Sequence, residues 1–393
     1  MKILSEIISE LESGSRPKGG VTSEGEIPSL GAEHLDSDGG FTFKNVKRVS
    51  REFYNSLTSG KLSNADILIV KDGATTGKIS FLSADFPFIE ASINEHVFRI
   101  KIDENLAFPK YVFHFLKSDI GNRQIMRDFR GATVGGISRK FIDGVTIPLP
   151  ELPEQQCIAT ILDHADSIRR KNRQILEKYN ELAQSVFYEM FGDPEKNQYK
   201  FPVGTIRDLV SEVKYGTSNK SSDKGSYPYL RMNNLTYDGN MDFTEMKYVD
   251  IKDDEKAKYI VQNGDILFNR TNSKELVGKT AVYKKHEEMV IAGYLIRVRV
   301  NQKANSIYIS AYLNSKHGKT TLIGMCKSII GMANINAQEM QNIKILIPPV
   351  NLQNRFAEIV DRIEEQKKLT QKSFSKSEEL FQSLLQRAFK GEL

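Results

Sequence analysis

Apolar residues recur at alternating steps of three and four along two stretches of this chain, and in short blocks elsewhere. After "PLPELPEQQ", apolar or small residues fall at Ile158, Ile161, Ala165, Ile168, Ile175, Tyr179, Leu182 and Val186. That heptad rhythm predicts a long helix with an apolar seam. Its one polar seam position is Asn172. After "PPVNLQ" a second seam reads Phe356, Ile359, Ile363, Gln366, Thr370, Ser373, Ser377, Leu380 and Leu384, apolar at its ends and polar in the middle. Prolines stand just before both predicted starts, where a missing N–H costs little. Each helix would span roughly 55 Å at ~1.5 Å per residue. An apolar seam of that length needs a partner. The two helices are expected to pair antiparallel, with Asn172 opposite Thr370 or its neighbours. The alternative is that each helix packs on its own globular part.

Between the helical stretches lie β-type runs such as "DILIV", "HVFRI", "DILFN" and "LIRVRV", separated by turn signals "SDGG" and "YDGN". This predicts an α+β fold rich in antiparallel strands. The βαβ alternation of a parallel sheet is not evident. The runs also repeat. "ISRKFIDGVTIPLP" at 137–150 falls on "INAQEMQNIKILIP" at 335–348, 198 positions on. The same shift superposes Gln155 on Gln353, Ala159 on Ala357, Asp163 on Asp361, Leu182 on Leu380, Ser185 on Ser383 and Phe191 on Phe389. With small changes of offset, "SELESGS" matches "SEVKYGT", "IPSLGAEHLDSDGG" matches "YPYLRMNNLTYDGN", "NADILIV" matches "NGDILFN", and "GKISFL" matches "GKTAVY". The chain therefore reads as one unit written twice. Expected boundaries are a globular domain over 1–150, a helix over 151–195, a second domain over 196–348 and a second helix over 349–393.

Composition narrows the function. Lys and Arg number 55 against 50 Asp and Glu, a formal charge of +5, which permits an anionic partner without demanding one. The chain shows no apolar run long enough for a membrane span, and Glu6 and Glu10 interrupt any leader-like segment, so a cytoplasmic location is expected. Cys157 and Cys326 form no CxxC pair. The six histidines show no HExxH or other metal spacing. "SKELVGKT" resembles a phosphate-binding loop, but Ser273 occupies the position of its first glycine, and the matching "KDGATTGK" is a residue short. "IPPV" lacks both the acceptor side chain and the aromatic residue of the Asn/Asp-Pro-Pro-aromatic motif of DNA amino-methyltransferases. A binding protein is expected rather than an enzyme.

In a duplicated chain, shared residues are scaffold, and positions of differing polar chemistry are where the copies could read different things. The loop after "DIL" is the clearest contrast: Lys71, Thr75 and Thr76 in one copy against Arg270, Asn272, Ser273 and Lys274 in the other. Arginine can grip guanine and asparagine adenine, and a threonine methyl can meet thymine. Lys78 and Lys279, in the shared "GK", suit phosphate. A second contrast sets Gly31, Ala32, Glu33 and His34 against Arg231, Met232, Asn233 and Asn234. A third sets "GGISRK", with Arg139 and Lys140, against "MANINA", with Asn334 and Asn336. Arg16, Lys18 and Lys220 in early loops suit phosphate. Surface hairpin loops are rich in Gly, Asn, Asp and Lys without any such role, so a purely structural origin stays open.

Two variable domains, each closed by a Pro-rich entry and a long helix, resemble the specificity subunit of a Type I restriction-modification system. The stretches that carry the resemblance are "VTIPLPELPEQQCIATILD", "ELAQSVFYEMFGD", "SLLQRAFKGEL" and "DILFNRTNSKELVGK". The resemblance implies two target-recognition domains, each reading one half of a bipartite, asymmetric double-stranded DNA site, and an antiparallel coiled coil that sets the spacing. It implies two methyltransferase subunits that carry S-adenosylmethionine and methylate adenine N6, and endonuclease-translocase subunits that use ATP and Mg. No cofactor is implied on this chain and no membrane. The chain by itself is expected to bind DNA weakly, because partners share the phosphate contacts. A stand-alone nuclease or NTPase with an unfamiliar site, or a coiled-coil interaction adaptor, are the alternatives.

Overall fold

The computed structural model describes residues 1–18, 20, 24–131, 135–326 and 333–393. The chain divides into two compact units, Met1–Asn172 with Ser373–Leu393, and Arg173–Lys372. Each unit thus contains one globular part, half of one long helix and half of the other.

Unit 1 is built on a four-stranded antiparallel sheet in the order Ile8–Ser13, Val97–Ile102, Ile67–Val70, Ile79–Phe81. Unit 2 repeats it as Val210–Tyr215, Leu295–Val300, Ile266–Asn269, Thr280–Val282. Even the irregularity repeats, with the register slipping between Ile8 and Glu10 and between Val210 and Glu212. The "DIL" blocks form strands because Ile67 to Val70 and Ile266 to Asn269 are buried on both faces. The aspartate before each block serves two ends. Asp66 accepts from the Ser63 amide at 2.7 Å and pairs with Arg99 at 2.6 Å. Asp265 accepts from the Gln262 amide at 2.8 Å and pairs with Arg299 at 2.9 Å. A smaller mixed sheet stands beside each main sheet, Arg48–Val49 with Ile27–Leu30 and Ser92–Ile93 in unit 1, and Lys247–Val249 with Tyr227–Leu230 and Val290–Ile291 in unit 2. A two-stranded ribbon joins each domain's start to its end: Lys2–Ile3 with Thr146–Ile147, and Val203–Thr205 with Lys344–Leu346.

The ribbons deliver the chain to helices Leu152–Phe191 and Val350–Lys390. A shared glutamine locks each entry. Gln155 accepts from the Phe108 amide and donates to the Pro150 carbonyl, both at 2.8 Å. Gln353 accepts from the Asn305 amide at 2.9 Å and donates to the Pro348 carbonyl at 2.8 Å. Both are buried, so their polar atoms need these partners.

Within each unit the helices pack on each other and on the globular part, so the two packing alternatives coexist. In unit 1, Ile158, Leu162 and Ala165 share a core with Phe381, Leu385 and Phe389 of the second helix. Phe389 lies 5.4 Å from Tyr111 and 5.1 Å from Phe115 of the short helix Pro109–Lys117. In unit 2, Phe187 and Phe191 meet Phe356, and Phe191 lies 4.7 Å from Tyr308. Arg169 reaches Glu378 at 3.4 Å, while Asn172 donates to Ser373 at 3.3 Å and Ser377 at 3.2 Å; rising numbers on one helix meet falling numbers on the other, so they run antiparallel.

The expected seam needs correction. Ile161, Ile168, Ile175 and Leu182 are 37%, 53%, 42% and 41% exposed, and Leu380 is 53% exposed. Ile363 is buried, Leu384 packs against the unit 1 core, and Ile359 and Thr370 are half-buried. Asn172 meets the serines rather than Thr370. Of the expected first-helix seam Ile158 and Ala165 do face inward, but they are joined there by Leu162, Arg169, Phe187 and Phe191 rather than by its other isoleucines. Large aromatic anchors bury more area than the isoleucines of the heptad stripe, and they must meet a globular domain as well as a helix. Leu162→Ala is therefore expected to lose about 2–5 kcal/mol of stability. Ile168→Ala should stay within about 0.5 kcal/mol. Urea unfolding of the two variants reads the difference, and equal losses would restore the heptad seam. Among the described residues, no helix is long and apolar enough to cross a membrane.

Candidate nucleic-acid interface

In unit 2 the strand Ile266–Asn269 runs out into the contrasting loop. The Arg270 amide donates to the Tyr294 carbonyl at 3.0 Å, and its carbonyl accepts from the Ile335 amide at 2.9 Å. Thr271–Asn272 then pairs antiparallel with Ala333–Asn334, and the Thr271 hydroxyl lies 2.9 Å from Asn334 Oδ1. Asn272 Nδ2 lies 3.8 Å from Met232 Sδ. Three segments far apart in sequence, 231–235, 270–279 and 333–336, thus converge. Unit 1 builds the same frame. The Lys71 amide donates to the His96 carbonyl at 2.9 Å, its carbonyl accepts from Ile137 at 2.7 Å, and Gly73 donates to Gly135 at 3.1 Å.

Several expected contact residues are spent inside this frame. Lys279 is 8% exposed, and its ammonium donates to the carbonyls of Met232 at 2.7 Å and Leu235 at 2.6 Å. Burial pulls its pKa below the ordinary lysine value. Lys78 donates to the Leu35 carbonyl at 3.1 Å. The shared "GK" therefore ties down a neighbouring turn instead of meeting phosphate. Asn234 is buried; it accepts from the Arg231 amide and donates to the Asp242 carbonyl, both at 2.9 Å. His34 does the equivalent work, its Nδ1 accepting from the Gly31 amide at 2.9 Å. Asn336 caps the helix Ala337–Gln341 by accepting from the Gln338 and Glu339 amides. These five side chains cannot serve a ligand without releasing buried or capped backbone groups.

The other candidates divide by exposure. Lys18, Thr75, Arg139, Lys140, Lys220, Asn233 and Lys274 are exposed. Arg16 is exposed too, but pairs with Glu95 at 2.7 Å. Lys71, Thr76, Arg231, Arg270, Asn272, Ser273 and Asn334 are half-buried. Thr76 donates to the Gly73 carbonyl at 2.7 Å and Arg231 to the Glu245 carbonyl at 3.0 Å, while the Asn272 side-chain Oδ1 accepts from the Ser273 amide at 2.9 Å. Met332, which opens "MANINA", lies outside the described residues.

Sequence reasoning weighed His96, ahead of the strand "VFRI", with a structural role at least as well supported, but missed Asp72, Glu95, Tyr215 and Tyr294 around Lys71 and Arg270. In unit 1, His96 Nδ1 contacts Asp72, its Nε2 lies 3.5 Å from Glu95, and Lys71 lies 3.8 Å from Asp72. In unit 2, Arg270 stacks on Tyr215 with its guanidinium carbon 4.8 Å from the ring centre, and Tyr294 is 54% exposed. The sheet registers equate Ser13 with Tyr215, because these residues pair with Phe98 and Ile296. His96 and Tyr294 both precede the last long strand, where an ionisable ring against a phenol was a visible contrast. Among the described residues, no group of His, Cys, Asp and Glu could hold a metal ion.

Comparison with known proteins meets the same duplication. A model of the Type I restriction modification DNA specificity domain matches residues 4–180 and again 199–376. The chain is 27% identical over 358 residues to the Type I restriction enzyme EcoKI specificity subunit of Escherichia coli K12, covering 85% of this chain and 76% of that protein. It is 32% identical over 162 residues to the putative type I restriction enzyme MjaX specificity subunit of Methanocaldococcus jannaschii, covering 40% of this chain and 38% of that one. The fold matches the crystal structure of a Type-I restriction-modification system S subunit from M. genitalium with a TM-score of 0.60 at 16% identity, over 99% of this chain and 95% of the other. With one match on each internal copy, this chain belongs to the Type I restriction-modification DNA specificity family.

Proposed function

We propose that the chain reads a bipartite, asymmetric site on double-stranded DNA, with the domain at 1–150 reading one half and the domain at 196–348 the other. The carrying observation is a frame built twice by the same backbone hydrogen bonds, with different side chains at its converging loops. Unit 1 presents Lys71, Asp72, Glu95 and His96 there, and unit 2 presents Arg270, Asn272, Tyr294 and Asn334. One frame holding two chemistries suits two unlike half-sites. The exposed cations Arg16, Lys18, Arg139, Lys140, Lys220 and Lys274 suit the phosphate backbone, which positions without specifying.

In this proposal the chain supplies recognition, and partner subunits supply chemistry. Two methyltransferase subunits carry S-adenosylmethionine and modify adenine N6 in each half. An adenine inside a duplex must be flipped out to be modified, a task for the methyltransferase pocket. Endonuclease-translocase subunits using ATP and Mg join the complex to cut unmodified DNA. Neither a stand-alone nuclease nor an adaptor is favoured by any observation.

Mapping N6-methyladenine across the host genome, with and without this gene, tests the proposal. Deletion is expected to erase one bipartite motif and leave every other motif intact. An unchanged methylation pattern in cells that express the methyltransferase would remove the specificity role.

A further inference from the structure

A cation that has left bulk water normally has an anion or an acceptor beside it. Arg270 does not. Its guanidinium is half-buried, its Nε is buried with no hydrogen-bond partner, and the side chain forms no ion pair among the described residues. What holds it is the face of Tyr215, and the Tyr215 hydroxyl accepts from the Ala337 amide at 2.9 Å. Its own backbone is pinned on both sides by Tyr294 and Ile335. A flat, immobilised fork with unspent donors is preorganised for a flat pair of acceptors. We propose that Arg270 is a specificity-determining residue of unit 2 and reads a guanine through O6 and N7 in the major groove. This rests on the proposal that the converging loops face DNA.

The comparison between copies favours a base over a phosphate. A phosphate contact carries no sequence information and could be kept in both units. At the equivalent place unit 1 has Lys71, with Asp72 at 3.8 Å, the Ser13 hydroxyl at 3.5 Å where unit 2 has Tyr215, and the Phe98 ring centre 5.7 Å away. The guanidinium and its tyrosine platform thus belong to one unit only. Asn272 and Asn334 flank it on the paired strands Thr271–Asn272 and Ala333–Asn334, adding amide groups for neighbouring base edges.

The test maps the N6-methyladenine motif written by the complete complex carrying wild-type chain, Arg270→Lys or Arg270→Gln. The wild-type motif should contain an invariant guanine that both variants relax, discrimination falling about ten- to a hundredfold at that position alone. The other half-site should be unchanged. Lysine keeps the charge but lacks the rigid fork, so its variant separates guanine reading from simple attraction. If thermal unfolding shows the glutamine variant unfolded, the lysine variant decides. A motif unchanged in the lysine variant would overturn the assignment. So would a uniform loss of methylation at all sites, the mark of a phosphate contact. A wild-type complex with no bipartite motif would instead sink the underlying DNA-reading proposal.

Discussion

Arg99→Ala is expected to destabilise unit 1 by about 3–5 kcal/mol, because it strands a buried carboxylate. Asp66 is fully buried and 2.6 Å from Arg99; the next cation, Lys101, is 3.7 Å away. Glu10 and Glu12 converge on the same guanidinium at 2.7 and 2.8 Å. Burial disfavours the charged arginine, but the hydrogen bonds and charge of Asp66, with those of Glu12 and Glu10, outweigh it and hold its pKa above the ordinary arginine value. Removing the cation reverses that balance and leaves three carboxylates around a hole. Arg297→Ala is the matching change in unit 2 and should cost less, although Arg297 is itself fully buried. There Asp265 keeps Arg299 at 2.9 Å, which also lies 3.3 Å from Glu212. Urea unfolding of both variants reads the order. A loss at Arg297 equal to or above that at Arg99 would show that the spare arginine does not compensate.

Gly216→Ala should be nearly as damaging, for a steric reason. A Cβ there would sit 2.2 Å from the Ala292 oxygen and 2.3 Å from the Ile291 oxygen; at Gly14 it would sit 1.9 Å from the Ile93 oxygen. These are backbone atoms between strands and cannot swing aside. The cost is expected near the upper end of the ~1–3 kcal/mol seen for overpacking. Gly73 is the control: its φ is +95° but none of the described residues lies within 4 Å of a Cβ. Gly73→Ala should therefore lose only about 1 kcal/mol, from the left-handed backbone. Gly216 also follows Tyr215, so its substitution should disturb the arginine platform as well as stability. Comparable thermal shifts at positions 216 and 73 would contradict the steric account.

The frame of each domain was readable wherever both copies kept a residue for the same job. The aspartates of "NADIL" and "NGDIL" and the glutamines at 155 and 353 are such cases, each holding backbone and side-chain groups together. The rule that likeness means scaffold also applied to the "GK" lysines, where the appeal of a phosphate ligand hid it. His34 and Asn234 show its other limit. The two residues differ in type, yet each offers one acceptor to the amide three residues back. A difference in sequence can preserve a contact, so contrast between copies marks a reading residue only when no internal partner takes it up.

Sequence by itself determined the duplication, the short β-runs and the two long helices, while their antiparallel pairing was one of two packings it left open. Each follows from periodicity or from identity at a fixed shift, and both survive without knowing what lies nearby. Tertiary structure alone decided which stripe of the first helix faces inward. Two stripes carry apolar residues, and only the anchors Phe187 and Phe191, meeting Tyr308 and Phe356, choose between them. It also decided which cation in one loop is free. Lys279 and Arg270 stand nine positions apart, and nothing in the loop ranks them. Carbonyls from 232 and 235 consume the first, while a ring from 215 holds the second without satisfying its donors. Those partners arrive from distant segments, and hydrogen bonding depends on distance in space rather than along the chain.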